Sequence, residues 1–303
     1  MGRPTSRELV HRAIQAHTAI PSFNIPYLPM MSPVVRALRD TATVGMVTAA
    51  RVEWKQFSPG SPRELFAAFE AYREEPLVRL HLDHIPVIDE DGERVDYLSY
   101  LAEALELGYD SIMVDGSRLP LGENIAATRA VVLLAARTEV AVEGELGAVL
   151  GHEAGPPPPY EELLASGQGF TDPDEARRFV HETGVDWLSV AIGNIHGAVA
   201  AATRNQPKVQ ARLDLEHLDR LREVTGVPLV LHGGSGIHRE YLQEGIRRGI
   251  AKVNVGTSIR QAYEAAVGES VEAAQEAVYR VTLWTLEEEL QVAGSAAALG
   301  ICC

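Results

Sequence analysis

Short apolar runs alternate with amphipathic stretches from one end of the chain to the other. Runs rich in Val, Ile and Leu predict strands at Ile20–Asn24, Val44–Ala49, Leu77–His81, Ser111–Val114, Val140–Gly144, Trp187–Ala191, Leu229–Leu231 and Lys252–Val255. Between them, apolar residues recur at helical spacing over Pro33–Asp40, Pro62–Glu74, Tyr97–Leu107, Ile125–Ala136, Pro173–Glu182, Leu215–Val224 and Arg239–Arg248. Strands that alternate with helices predict a parallel sheet, and eight such units close into a (β/α)8 TIM barrel. A long helical extension is expected over Tyr263–Val292, and residues 1–303 are expected to form a single domain.

Several boundaries have a local physical cause. Thr171-Asp172-Pro173-Asp174-Glu175 reads as a helix start, with a capping side chain, a proline in the first turn and acids that match the helix dipole. Gly184 and Gly249 follow helical runs and fit left-handed helix ends. Thr225-Gly226-Val227-Pro228 closes one helix and turns into the next strand. The stretch Gly147–Gly169, with Pro156–Pro159 inside it, is too long for an ordinary connection and suggests either a functional lid or a partly disordered segment. A second long excursion runs from His196 to Arg212.

Composition narrows the class of partner. Of 303 residues, 46% are hydrophobic and only 6% aromatic, which suits helices packed on a parallel sheet. A formal net charge of −15 argues against nucleic acid and anionic membrane surfaces, both of which select basic proteins. No apolar stretch reaches the length of a membrane span, and Met1–Val10 lacks the apolar core of a signal peptide. The two cysteines, Cys302 and Cys303, are adjacent and offer neither a useful crosslink nor a metal site. A cytoplasmic enzyme is the expectation.

In a barrel of this kind the active site lies where the strands end. The polar residues there form a pattern: His81-Leu82-Asp83-His84 after strand three, Asp115 after four, Glu143 and Glu145 on five, Asn194 and His196 after six, His232 after seven and Asn254 on eight. One histidine at a strand end is commonly a hydrogen-bonded surface residue. His84, His196 and His232 at one rim, beside several acids, point instead to a metal held by imidazoles with positions left open for substrate. Asp83 is a candidate acid/base, or a loop cap. Asp115 and Glu145 would orient those histidines, provide a second metal position, or be ordinary surface acids. Gly233-Gly234-Ser235-Gly236 offers backbone N–H groups to an anion, and Asn254-Val255-Gly256-Thr257 opens a helix whose N-terminus favours phosphate. A Schiff-base route would need a buried lysine. Lys55 and Lys208 fall in predicted loops, and Lys252 is expected at the far end of the barrel.

Together these segments resemble the class II, metal-dependent fructose-bisphosphate and tagatose-bisphosphate aldolase family. The likeness is carried by HLDH (81–84), SIMVDGS (111–117), VEGELG (142–147), TDPDEARRFVHETGVDWLSVAIGNIHG (171–197), LVLHGGSGI (229–237), GIAKVNVGT (249–257) and VAGSA (292–296). The resemblance implies an aldehyde-lyase that cleaves or forms a C–C bond of a phosphorylated ketose through a metal-stabilised enediolate. His84, His196 and His232 would hold a divalent metal, Zn2+ foremost, with Asp115 and Glu145 beside it. Asp83 and the loop glutamate Glu153 would be catalytic. Gly197, Gly233, Ser235, Asn254 and Thr257 would receive the dihydroxyacetone-phosphate end, with room for a monovalent cation. A homodimer or homotetramer is implied.

The departures fall on substrate recognition. The strand-six motif continues His196-Gly197-Ala198-Val199-Ala200 where the family has Tyr and Lys, and Gly256 stands where fructose-bisphosphate members carry Asp. Strand two ends Thr48-Ala49-Ala50-Arg51, unlike the substrate-contacting pattern of the family. Arg51 is either a replacement positive charge on the aldehyde side or a solvated loop arginine. We therefore expect a nonstandard substrate. The rival readings are a metal-dependent lyase or epimerase on a modified sugar or sugar acid, and a non-catalytic binding homologue.

Overall fold

A computed structural model describes residues 3–58, 60–147, 160–194 and 211–301. Eight parallel strands run in sequence order around a closed barrel: β1 (Ile20–Asn24), β2 (Gly45–Ala50), β3 (Val78–Pro86), β4 (Ser111–Asp115), β5 (Ala141–Leu146), β6 (Trp187–Val190), β7 (Leu229–Leu231) and β8 (Ile250–Val255). β1 closes the barrel by pairing with both β2 and β8. The predicted (β/α)8 architecture is therefore the observed one. Helices at Met31–Asp40, Pro62–Phe69, Tyr97–Leu107, Leu121–Ala135, Pro173–Thr183, Leu215–Thr225 and Arg239–Arg248 match the expected segments within a few residues.

The capping expectations hold. Asp172 accepts from the backbone N–H of Asp174 and Glu175 at 2.9 Å each, and Gly184 ends that helix at φ 72°. Two features differ. The C-terminal helical stretch is not continuous: it divides into Thr257–Ala266 and Val271–Trp284, because Ser270 breaks it by capping a new N-terminus. A helix at Ser6–Gln15 was not expected; a reciprocal Thr5–Glu8 capping box starts it, and Leu9, Val10 and Ala13 bury its apolar stripe.

The core has two chemically different layers. Leu, Val and Ile from the strands and helices form one continuous apolar cluster. Inside the barrel the layer nearest the mouth is polar and fully or nearly buried: His81, Asp83, Glu143, Glu145, Ser189, His232, Lys252 and Asn254. Such groups survive burial only when they are paired, and their pairing defines the site.

Candidate metal centre and active site

β3 runs past its expected end at His81 and carries Asp83 and His84 within the strand. Alternation would send Asp83 and His84 to opposite faces of the sheet. A register shift between Leu82 and Ile85 breaks that alternation, and His84 adopts φ 33°, in the left-handed region that side chains other than glycine seldom enter. The kink lets both residues address the barrel mouth.

His84 and the residue after β7, His232, meet there. Nδ1 of His232 lies 2.6 Å from Nε2 of His84, with the rings edge to face. Each ring's other nitrogen is held by a carboxylate. His84 Nδ1 lies 3.2 Å from Asp115 and 3.5 Å from Glu145; His232 Nε2 lies 2.8 Å from Glu143. The carboxylates fix both rings, so one nitrogen of each is left facing a common point. Glu145 Oε2 is buried beside this pair, 3.9 Å from His232 Nδ1, and makes no hydrogen bond among the described residues. Two facing imidazole nitrogens and an orphaned carboxylate oxygen are a donor set that suits a divalent cation. Among the described residues two groups have the necessary spacing, Asp83–His84–His232 and His84–Asp115–Glu145.

The groups behind this pair form a charged chain across the barrel. Lys252 Nζ donates to Glu143 Oε2 at 2.9 Å and to Asn254 Oδ1 at 2.7 Å. This corrects the expectation that Lys252 lies at the far end. It starts low on β8, but it shares Asn254's inward face, and its side chain climbs the interior to reach Glu143 on β5. The sequence marks Glu143 only as a strand-end acid. Its inward orientation was readable from Glu145, two residues on, because both lie on one face of β5.

Asp83 is held by two amides. Asn254 Nδ2 donates to its two oxygens at 3.0 and 3.1 Å, and Asn24 Nδ2 donates to Oδ2 at 2.9 Å. Asn24 comes from the end of β1, and the same amide group donates to Glu53 Oε2 at 3.0 Å. Neither residue stands out in the sequence: Asn24 is a single polar side chain at the tip of β1, and Glu53 lies in a short helix, Arg51–Gln56, that no periodic pattern marks.

The electrostatics follow from this packing. Burial would raise Asp83, but the charge on His84, the His81 ring 3.7 Å away, His232 and Lys252 outweigh it and hold Asp83 well below the usual carboxylate range. Burial would likewise lower His84; Asp83, Glu145 and Asp115 push it well above an ordinary imidazole. Glu145 goes up strongly, through burial first and then the Asp115 charge. Glu143 is buried too, yet Lys252 and His232 bring it to about 2. Burial lifts Glu53 to about 7 against its hydrogen bonds to Ala50 and Asn24.

The glycine loop after β7 and the helix start after β8 lie side by side. Gly233 and Gly236 take φ 68° and 95°, and Gly234 N–H donates to Asn254 O at 3.0 Å. A Cβ on Gly234 would stand 2.6 Å from Val253 Cγ1, so glycine is what allows the β7 loop to approach β8. The helix Thr257–Ala266 begins beside it without a side-chain cap, and Ser235 and Ser258 hydroxyls lie 3.3 Å apart at its start. Arg51 ion-pairs with Asp89 at 3.1 Å. His196, Gly197 and Glu153 lie outside the described residues, as does Lys208.

Comparison with known proteins identifies the family and the fold. Residues 4–297 match the family described as fructose-bisphosphate aldolase class-II. The chain belongs to that family. The YdjI aldolase of Escherichia coli K12 is 27% identical and superposes with a TM-score of 0.76, covering 96% of this chain and 98% of that one. A putative fructose-1,6-bisphosphate aldolase of Coccidioides immitis is 26% identical, with a TM-score of 0.75 over 97% and 98% of the two chains. A fructose-bisphosphate aldolase of Campylobacter jejuni, at 17% identity, shares the fold with a TM-score of 0.72 over 95% and 94%. This chain is thus a lyase of the class II aldolase type. Among its described residues no helix is long and apolar enough to cross a membrane.

Proposed function

We propose that this aldolase depends on a divalent cation, with Zn2+ the first choice, and that it cleaves and forms the C–C bond of a phosphorylated ketose other than fructose 1,6-bisphosphate. Dihydroxyacetone phosphate is one partner. The observation that carries the reading is the pair of facing nitrogens on His84 and His232, each ring fixed by a carboxylate on its other side. His196 completes the ligand set by the family resemblance, with Asp115 and Glu145 behind it. When bound, the cation supplies positive charge against the negative charge that develops on the ketose oxygens as the bond breaks.

The chain's own groups handle the rest. Asp83 enters as a carboxylate oriented by Asn24 and Asn254. In cleavage it accepts the proton of the hydroxyl whose carbon becomes the aldehyde; in condensation it returns that proton to the aldehyde oxygen. The electron pair of the broken bond moves onto the dihydroxyacetone half, whose carbon then needs a proton of its own, and Glu153 is assigned that transfer. The N–H groups of Gly233–Gly236 and the helix start at Thr257, with Ser235, Asn254 and Gly197, receive the phosphate, with a monovalent cation as an additional counter-charge. We place the enzyme in the cytoplasm as a homodimer or homotetramer, acting on small phosphorylated sugars rather than nucleic acid or membrane.

Removing metal with a strong chelator should abolish retro-aldol cleavage, and Zn2+, Mn2+ or Co2+ should restore it. Full activity of a metal-free preparation would end this reading. Glu153→Gln should lower kcat by about a hundredfold with bound metal unchanged. Turnover equal to wild type would remove Glu153 from the mechanism.

A further inference from the structure

An amide side chain can present either its nitrogen or its oxygen to a neighbour, since the two ends are alike in shape. Beside Asp83 the choice matters: Nδ2 donates to a carboxylate, whereas Oδ1 and a carboxylate are both acceptors. At Asn254 the choice is made from behind. Lys252 Nζ, fully buried, donates to Asn254 Oδ1 at 2.7 Å. An ammonium has donors and no acceptor, so it takes the oxygen, and Nδ2 is left to reach both oxygens of Asp83 at 3.0 and 3.1 Å. The strand explains the placement. Residues 252 and 254 lie on one face of β8, and the lysine stem spans the gap between them.

The same ammonium sorts the oxygens of Glu143. It takes Oε2 at 2.9 Å, and Oε1 remains for His232 Nε2 at 2.8 Å. With Nε2 engaged there, His232 turns Nδ1 toward His84. One buried cation thus stands a single residue behind the candidate acid/base and a single residue behind a candidate metal ligand. Asn24, the other amide on Asp83, is fixed independently, because it also donates to Glu53. The proposed mechanism uses Asp83, Asn254 and His232 but gives no part to the group that orders them.

We propose that Lys252 is a positioning residue: by holding Asn254 Oδ1 and Glu143 Oε2 it keeps the Asn254 amide N–H groups on Asp83 while His232 stays directed at the cation site. This rests on the aldolase reading, in which Asp83 moves the aldehyde-side proton and His232 holds the metal. The two branches have separable consequences. Without the Glu143 branch the cation is held less well, and every step that uses it slows. Without the Asn254 branch the amide is free to turn its oxygen toward Asp83, and the step in which Asp83 moves its proton slows alone. The carbon-bound proton of the dihydroxyacetone half is assigned to Glu153, so its exchange with solvent reports on the cation and not on Asp83. An altered grip of Asn254 on the phosphate appears in KM rather than kcat.

The test uses the full chain with zinc held saturating. Dihydroxyacetone phosphate alone in heavy water measures exchange of the carbon-bound proton. Dihydroxyacetone phosphate with glycolaldehyde, D-glyceraldehyde or glyceraldehyde 3-phosphate, whichever reacts fastest, measures condensation. Lys252→Met alone leaves Glu143 buried without its counter-charge and is expected to fold poorly. The paired variant Lys252→Met/Glu143→Gln removes both charges together and carries the test. Its kcat for condensation should fall about tenfold or more beyond its kcat for exchange, the effect of losing one hydrogen bond to a charged group. Introduced on top of Asn254→Ala, the same two changes should alter that ratio by less than about twofold, because the amide they release is already gone. Equal falls in both rates overturn the proposal and leave Lys252 as a counter-charge for Glu143 alone. A fall in the ratio that persists in the Asn254→Ala background shows that Lys252 does not act through Asn254, and overturns it too. A wild type that binds zinc and exchanges the proton but condenses no aldehyde removes Asp83 from its assigned step, and this proposal with it. A wild type that binds zinc and does neither sinks the aldolase reading itself.

Discussion

On the β3–β5–β7 side of the mouth, His84, His232, Glu143, Glu145, Asp115 and Lys252 form one buried chain in which each charged group rests on another. On the β2 side, Arg51, Lys55 and Asp89 make a pairing of their own, and among the described residues Glu53 is hydrogen-bonded to the candidate acid/base Asp83 only through Asn24. The first side has little freedom to change, because removing any member leaves another buried without a partner. The second can be altered one residue at a time. On the proposed reading a metal-dependent reaction can therefore persist while the substrate's far end is redefined, and the departures from the family pattern fall on that second side, at Gly256 and, outside the described residues, at Ala200.

The largest effect should come from the ligand pair. His232→Ala should lose bound divalent cation and at least about a thousandfold in kcat/KM, since such an ion contributes several kcal/mol to the transition state. Metal content by elemental analysis, read beside retro-aldol kinetics, checks this, and a variant that keeps its metal would show that the imidazole pair is not the centre. Glu143→Gln probes the chain behind it. It leaves the Lys252 ammonium buried without its charged partner, at a cost of about 3–5 kcal/mol of stability. It also loosens His232, which should weaken metal binding by about 10- to 100-fold. Thermal unfolding and metal titration together measure both, and unchanged values would show that the two sides of the mouth tolerate change equally.

How much of this contrast could be read in advance depended on which local rule applied. The barrel was legible because each strand is a run of Val, Ile and Leu bounded by turns and followed by an amphipathic helix. The strand-end acids and histidines were legible for the same reason. Lys252 was misplaced because its Cα position was considered without the reach of its side chain, although sharing a face with Asn254 put it inside the barrel. The approach of His84 to Asp83 was not derivable from alternation, since adjacent strand residues diverge unless the backbone kinks. Glu53 gave no periodic signal at all: it sits in a six-residue helix, Arg51–Gln56, that follows β2 without a turn signature.

The smallest predicted effect belongs to the β2 side. Glu53 has its folded-state value raised to about 7 from an ordinary 4.5, so the fold favours the protonated form. Below about 4.5 both folded and unfolded chains carry that proton and nothing is lost. As pH rises from there through about 7, the unfolded chain releases the proton first, and stability declines. Glu53→Gln removes the titration. Its melting temperature should gain on wild type between pH 5 and 7.5, by a few degrees at most, and then run parallel. A gap that is constant or shrinks across that window would show that Glu53 is not held in the neutral form.

The backbone at His84 has one more implication. A non-glycine residue at φ 33° sits in a conformation that costs on the order of 1 kcal/mol or more, and the kink is retained because it brings Asp83 and His84 to the same mouth. The chain thus carries a built-in conflict between folding and chemistry at a single position. A library randomised at residue 84 and sorted only for heat resistance should enrich glycine and asparagine, the residues that enter this region most readily, and every such winner would be a better-folded barrel with one fewer imidazole to offer. With His84 as the proposed ligand, thermostabilisation of this enzyme must hold residue 84 fixed, and sequence design guided by backbone preference alone would remove that ligand first.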